Sequence, residues 1–146
     1  MNSLRRLLAL VVLVAGTATA VPALAEDPPE AADQAAVQQV IAGQIQAFLR
    51  EDGDAAYSYA APHIKQKFGS PSVFMKMVRE AYSPVYSPAA YDFGPAAQRD
   101  NQIVQEVFLT APDGSQVLAL YRLERMEDGS WKIGAVFLRE MPDQMT

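Results

Sequence analysis

Few side chains in this 146-residue chain could do chemistry: one histidine, six tyrosines and a few acids set inside apolar segments, with no cysteine at all. Without cysteine there is no thiolate nucleophile, no disulfide and no soft metal ligand. His63 follows Pro62 at a helix start, with no carboxylates at ligand spacing around it, so no metal site is expected. As a general base it would need a partner and a pocket, and an exposed or capping place is the expected one. Tyr82, Tyr86, Tyr91 and Tyr121 lie in or beside apolar segments, while Tyr57 and Tyr59 fall on a short helix. A phenol combines an apolar body with a polar tip and so suits the wall of a small-molecule pocket. Plain core packing is its competing use. Asp92 stands between Tyr91 and Phe93, and Glu106 alternates with Val104 and Phe108. On a concave, desolvated face either acid would have a shifted proton affinity and could act as a base. Tyr82, Tyr86, Tyr91, Tyr121, Asp92 and Glu106 are therefore the candidate pocket residues. No catalytic residue is assigned. No serine sits in a nucleophile-elbow context, no glycine-rich phosphate loop is present, and no cofactor is expected.

Two kinds of element must position these residues. Val37, Val40, Ile41, Ile45, Phe48 and Leu49 recur at helical spacing and predict an amphipathic helix from about 33 to 51, capped by Asp33. Asp54 is the expected cap of a second short helix ended by Pro62, with one further turn over 63–68 and a break at Gly69. Ser70-Pro71 is a helix start, a capping hydroxyl followed by proline at the first helical position. That helix runs to about Tyr82, and Pro84 and Pro88 predict an extended connector over 83–87. The period then changes. Strands are predicted over 90–97, 103–110, 117–126 and 131–139, with hairpin turns at Asp113-Gly114 and Asp128-Gly129. Helices followed by consecutive antiparallel strands make an α+β fold, a helical layer on one face of a curved sheet. The last two strands are apolar on both faces. Trp131, Ile133, Ala135 and Phe137 are expected on one face of the last strand, Val136 and Leu138 on the other. A sheet covered on one side only would be polar on its second face, so a homodimer through the sheet face is expected.

The first 25 residues predict the compartment. Arg5-Arg6, an apolar run over 7–14 and Ala23-Leu24-Ala25 have the order of a secretory leader cleaved after Ala25. The run is too short to span a bilayer, which takes about 20 residues. The expected division is a signal peptide over 1–25, a linker over 26–36, one domain over 37–140 and a tail over 141–146. A periplasmic or secreted place follows, with no membrane association after cleavage. Loss of Arg5 and Arg6 with the leader takes the formal charge from −5 to −7. Such an acidic domain is a poor partner for nucleic acid, whose binding rests on cationic contacts with phosphate.

Residues 40–48, Ala55-Ala56-Tyr57, Phe74-Met75-Lys76-Met77-Val78, Tyr82-Ser83-Pro84-Val85-Tyr86 and Ala119-Leu120-Tyr121 resemble the bacterial family called domain of unknown function 4864. The closing Asp-Gly-Ser-Trp-Lys-Ile, 128–133, is similar to strands of the nuclear-transport-factor-2-like superfamily, within which that family lies. The resemblance covers about 37–140. It implies a cone-shaped, cystatin-like roll with a pocket at its wide end. It implies no activity, because the superfamily holds enzymes as well as binding and dimerisation modules.

Three functions are compatible with this reading. One is an exported module that binds a small apolar ligand or a protein. The second is an acid–base enzyme (isomerase, dehydratase or hydrolase), which would need an ionisable group in the pocket beside a tyrosine. The third is a structural partner in an envelope assembly, which would have a filled interior and an exposed apolar face.

Overall fold

The computed structural model describes residues 26–141. The expected leader, 1–25, and the tail beyond Met141 lie outside the described residues. Five helices precede four strands: α1 Ala31–Leu49, α2 Gly53–Ser58, α3 Pro62–Phe68, α4 Pro71–Ala81, α5 Ser83–Tyr86, then β1 Ala90–Arg99, β2 Gln102–Thr110, β3 Gln116–Arg125 and β4 Trp131–Glu140. The strands form one antiparallel sheet in the order β1-β2-β3-β4. This is the expected α+β order.

Local chemistry explains most element boundaries. α1 begins at Ala31, inside the expected linker, because alanines at 31, 32, 35 and 36 are strong helix formers. Asp33 sits in its first turn and pairs with Arg125 at the end of β3 rather than capping the helix. The cap of α2 is Asp52, not Asp54: the Asp52 carboxylate accepts from the Ala55 backbone N–H at 3.0 Å. Ser70 caps α4 as expected, accepting from Val73 N–H at 3.3 Å with Pro71 at the first position. The connector after Tyr82 is not extended. Pro84 enters the first turn of the short helix α5, a place where its missing N–H costs nothing.

The two Asp-Gly turns are twins. The loops run over Ala111–Ser115 and Met126–Ser130. In each the aspartate Oδ1 accepts from the serine N–H at 2.9 Å and the serine hydroxyl at 2.6 Å. These donors hold the carboxyls of Asp113 and Asp128 below the ordinary aspartate range. Gly114 and Gly129 adopt φ of 87° and 84°, where a side chain would be strained.

The core lies between α1 and the inner sheet face. Val37, Ile41, Ile45 and Phe48 of α1 meet Ile103, Val107 and Leu109 of β2, Ala119, Tyr121 and Leu123 of β3, and Trp131 and Ile133 of β4. Two bulges disturb the sheet, one between Phe93 and Ala96, the other opposite the Arg122–Leu123 step. The second places an extra residue, Gly134, in β4. Ile133 pairs with Leu123, whereas Ala135 pairs with Arg122 and Val136 with Tyr121. A strict alternation is therefore wrong for β4. Trp131, Ile133, Val136 and Leu138 share the inner face, and Ala135 and Phe137 turn outward with Leu120, because one inserted residue flips every side chain beyond it.

Candidate functional site

A cavity of about 500 Å³ opens between the helices and β4. α1 supplies Phe48 and Gln44. α3 supplies Ile64, Lys67 and Phe68, and α4 with the residues after it supplies Phe74, Met77, Val78 and Tyr82. β4 supplies the stretch from Ile133 to Phe137. The volume falls in the range of small-molecule sites, roughly 300–1,000 Å³. The lining is mostly aliphatic and aromatic.

Aromatic packing holds the helical wall in place. The Phe74 ring lies 6.1 Å from Phe48, 5.5 Å from Tyr57 and 5.9 Å from Phe68. The Tyr57 hydroxyl donates to the Lys65 carbonyl at 2.6 Å and so ties α2 to α3. Gln44, buried among the cavity residues, donates its amide to the Ala56 carbonyl at 3.1 Å, which fixes the side chain's orientation.

The opposite wall is made by the β4 bulge. The chain before α3 lies along the edge of β4: Ile133 N–H donates to the Tyr59 carbonyl and Ala61 N–H to the Ile133 carbonyl, each at 2.9 Å. His63 Nε2 then donates to the Gly134 carbonyl at 3.1 Å, and its Nδ1 lies 3.8 Å from a Glu124 oxygen. The histidine thus serves the frame of the cavity and does not line it. The Glu124 carboxylate lies over Gly134, so a Cβ there would oblige that side chain to swing aside.

Of the six residues singled out from sequence, Tyr82 lines this cavity and the other five do not. Tyr86 packs its ring on Phe48 at 5.8 Å, but its hydroxyl turns outward, accepting from Arg79 at 3.1 Å and donating to Glu51 at 3.4 Å. Tyr121 is fully buried on the inner face of β3, and its hydroxyl has no partner. Burial pushes that phenol up from its ordinary value. Tyr91 is on β1, across the sheet from β4, with its ring edge-on to Phe93. Asp92 is exposed and pairs in register with Phe108 on the outer face, while Glu106 pairs there with Leu120. No aspartate, glutamate or histidine lines the cavity among the described residues. Nor does any group of three or more such side chains there converge as a metal site.

Sequence reasoning missed Lys67 and the aliphatic lining. Nothing in the spacing of 62–68 separates a solvated lysine from one at a cavity rim. The helical faces of Phe74 and Val78 were evident as apolar, but not which part of each face meets the core and which the cavity.

A family model described as a domain of unknown function, DUF4864, matches residues 30–146. No curated protein matches the chain. Several solved structures do. An NTF-2 like protein of unknown function from Silicibacter pomeroyi DSS-3 is 17% identical, with a TM-score of 0.54 over 75% of this chain and 97% of that one. A protein of unknown function with a cystatin-like fold from Nostoc punctiforme PCC 73102 is 11% identical, with a TM-score of 0.54 over 80% and 97%. Aln2 from a Streptomyces species is 13% identical, with a TM-score of 0.53 over 78% and 94%. At these identities the likeness is one of fold, the NTF-2-like, cystatin-like α+β roll.

Proposed function

We propose that this chain, which belongs to the DUF4864 family, is an exported module that binds a small, mainly apolar molecule in the cavity between its helices and β4. The open, apolar-lined cavity carries this reading. Its volume and mostly apolar lining match those of small-molecule sites. Export rests on the leader-like residues 1–25. The acid–base alternative has less support: Tyr82 is present, but the acids offered for it, Asp92 and Glu106, belong to the outer face of the sheet.

A second role is carried by a separate observation. The outer sheet face presents Val104, Phe108, Leu118 and Leu120 around Glu106 and Arg122, and Phe137, which also reaches the cavity, is 58% exposed there. A second copy of the chain is the simplest cover for such a face, through a two-fold interface.

The test of ligand binding is saturable uptake of a neutral apolar fluorophore, phenylnaphthylamine, by the chain purified without its leader. One site is expected, and Met77→Trp, which fills the cavity, is expected to abolish it. Absence of saturable uptake, or equal uptake by a correctly folded Met77→Trp variant, would overturn the proposal.

A further inference from the structure

The cavity has one cationic side chain, Lys67, and no anionic one among the described residues. It lies at the end of α3, exposed, with its ammonium 5.5 Å from the centre of the Phe68 ring. Every acid in the described ion pairs is already matched to another base, and none lies within reach of Lys67. The surrounding sequence points the same way. The chain has 17 acids against 12 lysines and arginines, yet from Ala55 to Arg79 there is no aspartate or glutamate. That acid-free stretch contains α3 and nearly all of α4, the two helices that form one side of the cavity. The helical side of the cavity mouth thus carries no carboxylate over 55–79, while the acid nearest the β4 side, Glu124, is engaged by Arg122 and His63; among the described residues the Lys67 ammonium has no carboxylate partner.

We infer that the cavity takes an amphipathic monoanion, an apolar body ended by a carboxylate, with the body enclosed by the apolar wall and the carboxylate paired with Lys67 at the rim. This inference rests on the reading of the cavity as a binding site and names its ligand class. The geometry avoids the main obstacle to binding an anion in an apolar site. A carboxylate drawn inside would lose its hydration without compensation, whereas one held at the rim keeps its water on one side and gains the lysine on the other. Elsewhere the net negative charge of the chain repels the same ligand, so Lys67 gives both affinity and orientation.

The experiment compares decanoate with decanol, which share one alkyl chain, by calorimetric titration of the leaderless chain at neutral pH and low salt. Decanoate is expected to bind about three- to tenfold more tightly than decanol, as for an ion pair at a partly desolvated rim. Added salt should narrow the gap. Lys67→Met should erase the preference for decanoate and leave decanol binding unchanged. Equal binding of the two by the parent chain, or a preference that survives in Lys67→Met, would overturn the inference and leave the apolar cavity standing. If neither compound binds, while thermal unfolding shows a folded protein, the binding-site reading itself falls and this inference with it.

Discussion

The imidazole of His63 donates to the backbone carbonyl of Gly134, 71 residues away, at 3.1 Å. This contact pins α3 to the bulge in β4, the two elements that face each other across the cavity. The bulge supplies both sides of the relationship. It turns a carbonyl toward the histidine, and it brings the Glu124 side chain down onto the glycine that the bulge contains. The edge of β4 is shaped by a residue with no side chain, a carboxylate above it and an imidazole beside it.

Gly134→Ala is expected to destabilise the protein by no more than about 1 kcal/mol, because the methyl group displaces only the flexible end of the Glu124 side chain. The added Cβ would meet the Glu124 carboxylate. Urea unfolding checks the value. Glu124→Ala by itself should cost little, because its ion pairs with Arg122 and His63 are long and partly exposed. Combined with Gly134→Ala it should recover most of that loss, a coupling of about 0.5–1 kcal/mol. Simple additivity would show that the contact with Glu124 is not the source of the loss.

Tyr121→Phe should leave stability unchanged or raise it slightly, because the hydroxyl it removes is buried without a partner. Tyr121→Ala should cost about 3–5 kcal/mol, as for other large aromatic truncations in cores. The same burial gives a pH dependence. The phenol's proton affinity is raised in the folded chain by desolvation, so the unfolded chain loses that proton first as pH rises. The contribution is complete below the ordinary tyrosine value of about 10 and is lost progressively above it. Urea midpoints measured from roughly pH 8 to 11 should therefore fall more steeply for the parent than for Tyr121→Phe. Parallel curves would place the alkaline sensitivity elsewhere.

Self-association through the outer sheet face predicts that Leu120→Glu converts a dimer to a monomer in light scattering coupled to gel filtration. Leu120 pairs in register with both Glu106 and Phe137, at the middle of the apolar patch. A new acid there would face its own copy across the two-fold axis. Circular dichroism should show the fold retained, since Leu120 points away from the inner core. A parent chain that elutes as a monomer at high concentration would remove the dimer.

Much of this was legible in the amino-acid order, for identifiable reasons. The Ser70-Pro71 start and the two Asp-Gly-Ser turns are local chemistry, decided within a few residues, and they stand as read. The cap of α2 was less accessible, because Asp52 and Asp54 are both good caps and the end of α1 decides between them. Pro84 could stop a helix or start one, and it starts α5. The phase of β4 was not legible: the bulge at Gly134 is set by how β4 registers on β3 and by the chain at its edge, not by the local run of residues. That single insertion exchanges the sheet faces of Ala135 and Val136. The tyrosines misled for a related reason. Their apolar neighbourhoods are real, but Tyr91 and Tyr121 pack against the core outside the cavity lining, and only Tyr82 ends beside the opening.

The treatment of the sheet's two borders has a consequence for how copies of the chain can meet. β4 spends its outer hydrogen-bonding groups at Ile133 on Tyr59 and Ala61. At the other border, β1 is interrupted by the bulge around Gly94-Pro95, where proline has no N–H to offer, and Gln98 is occupied by the Asp27 carbonyl at 2.8 Å. Both borders are thus partly occupied, which shortens the row of free donors and acceptors open to strand-by-strand growth. The proposed two-fold pairing through the outer face would use up that surface on both partners and stop at two.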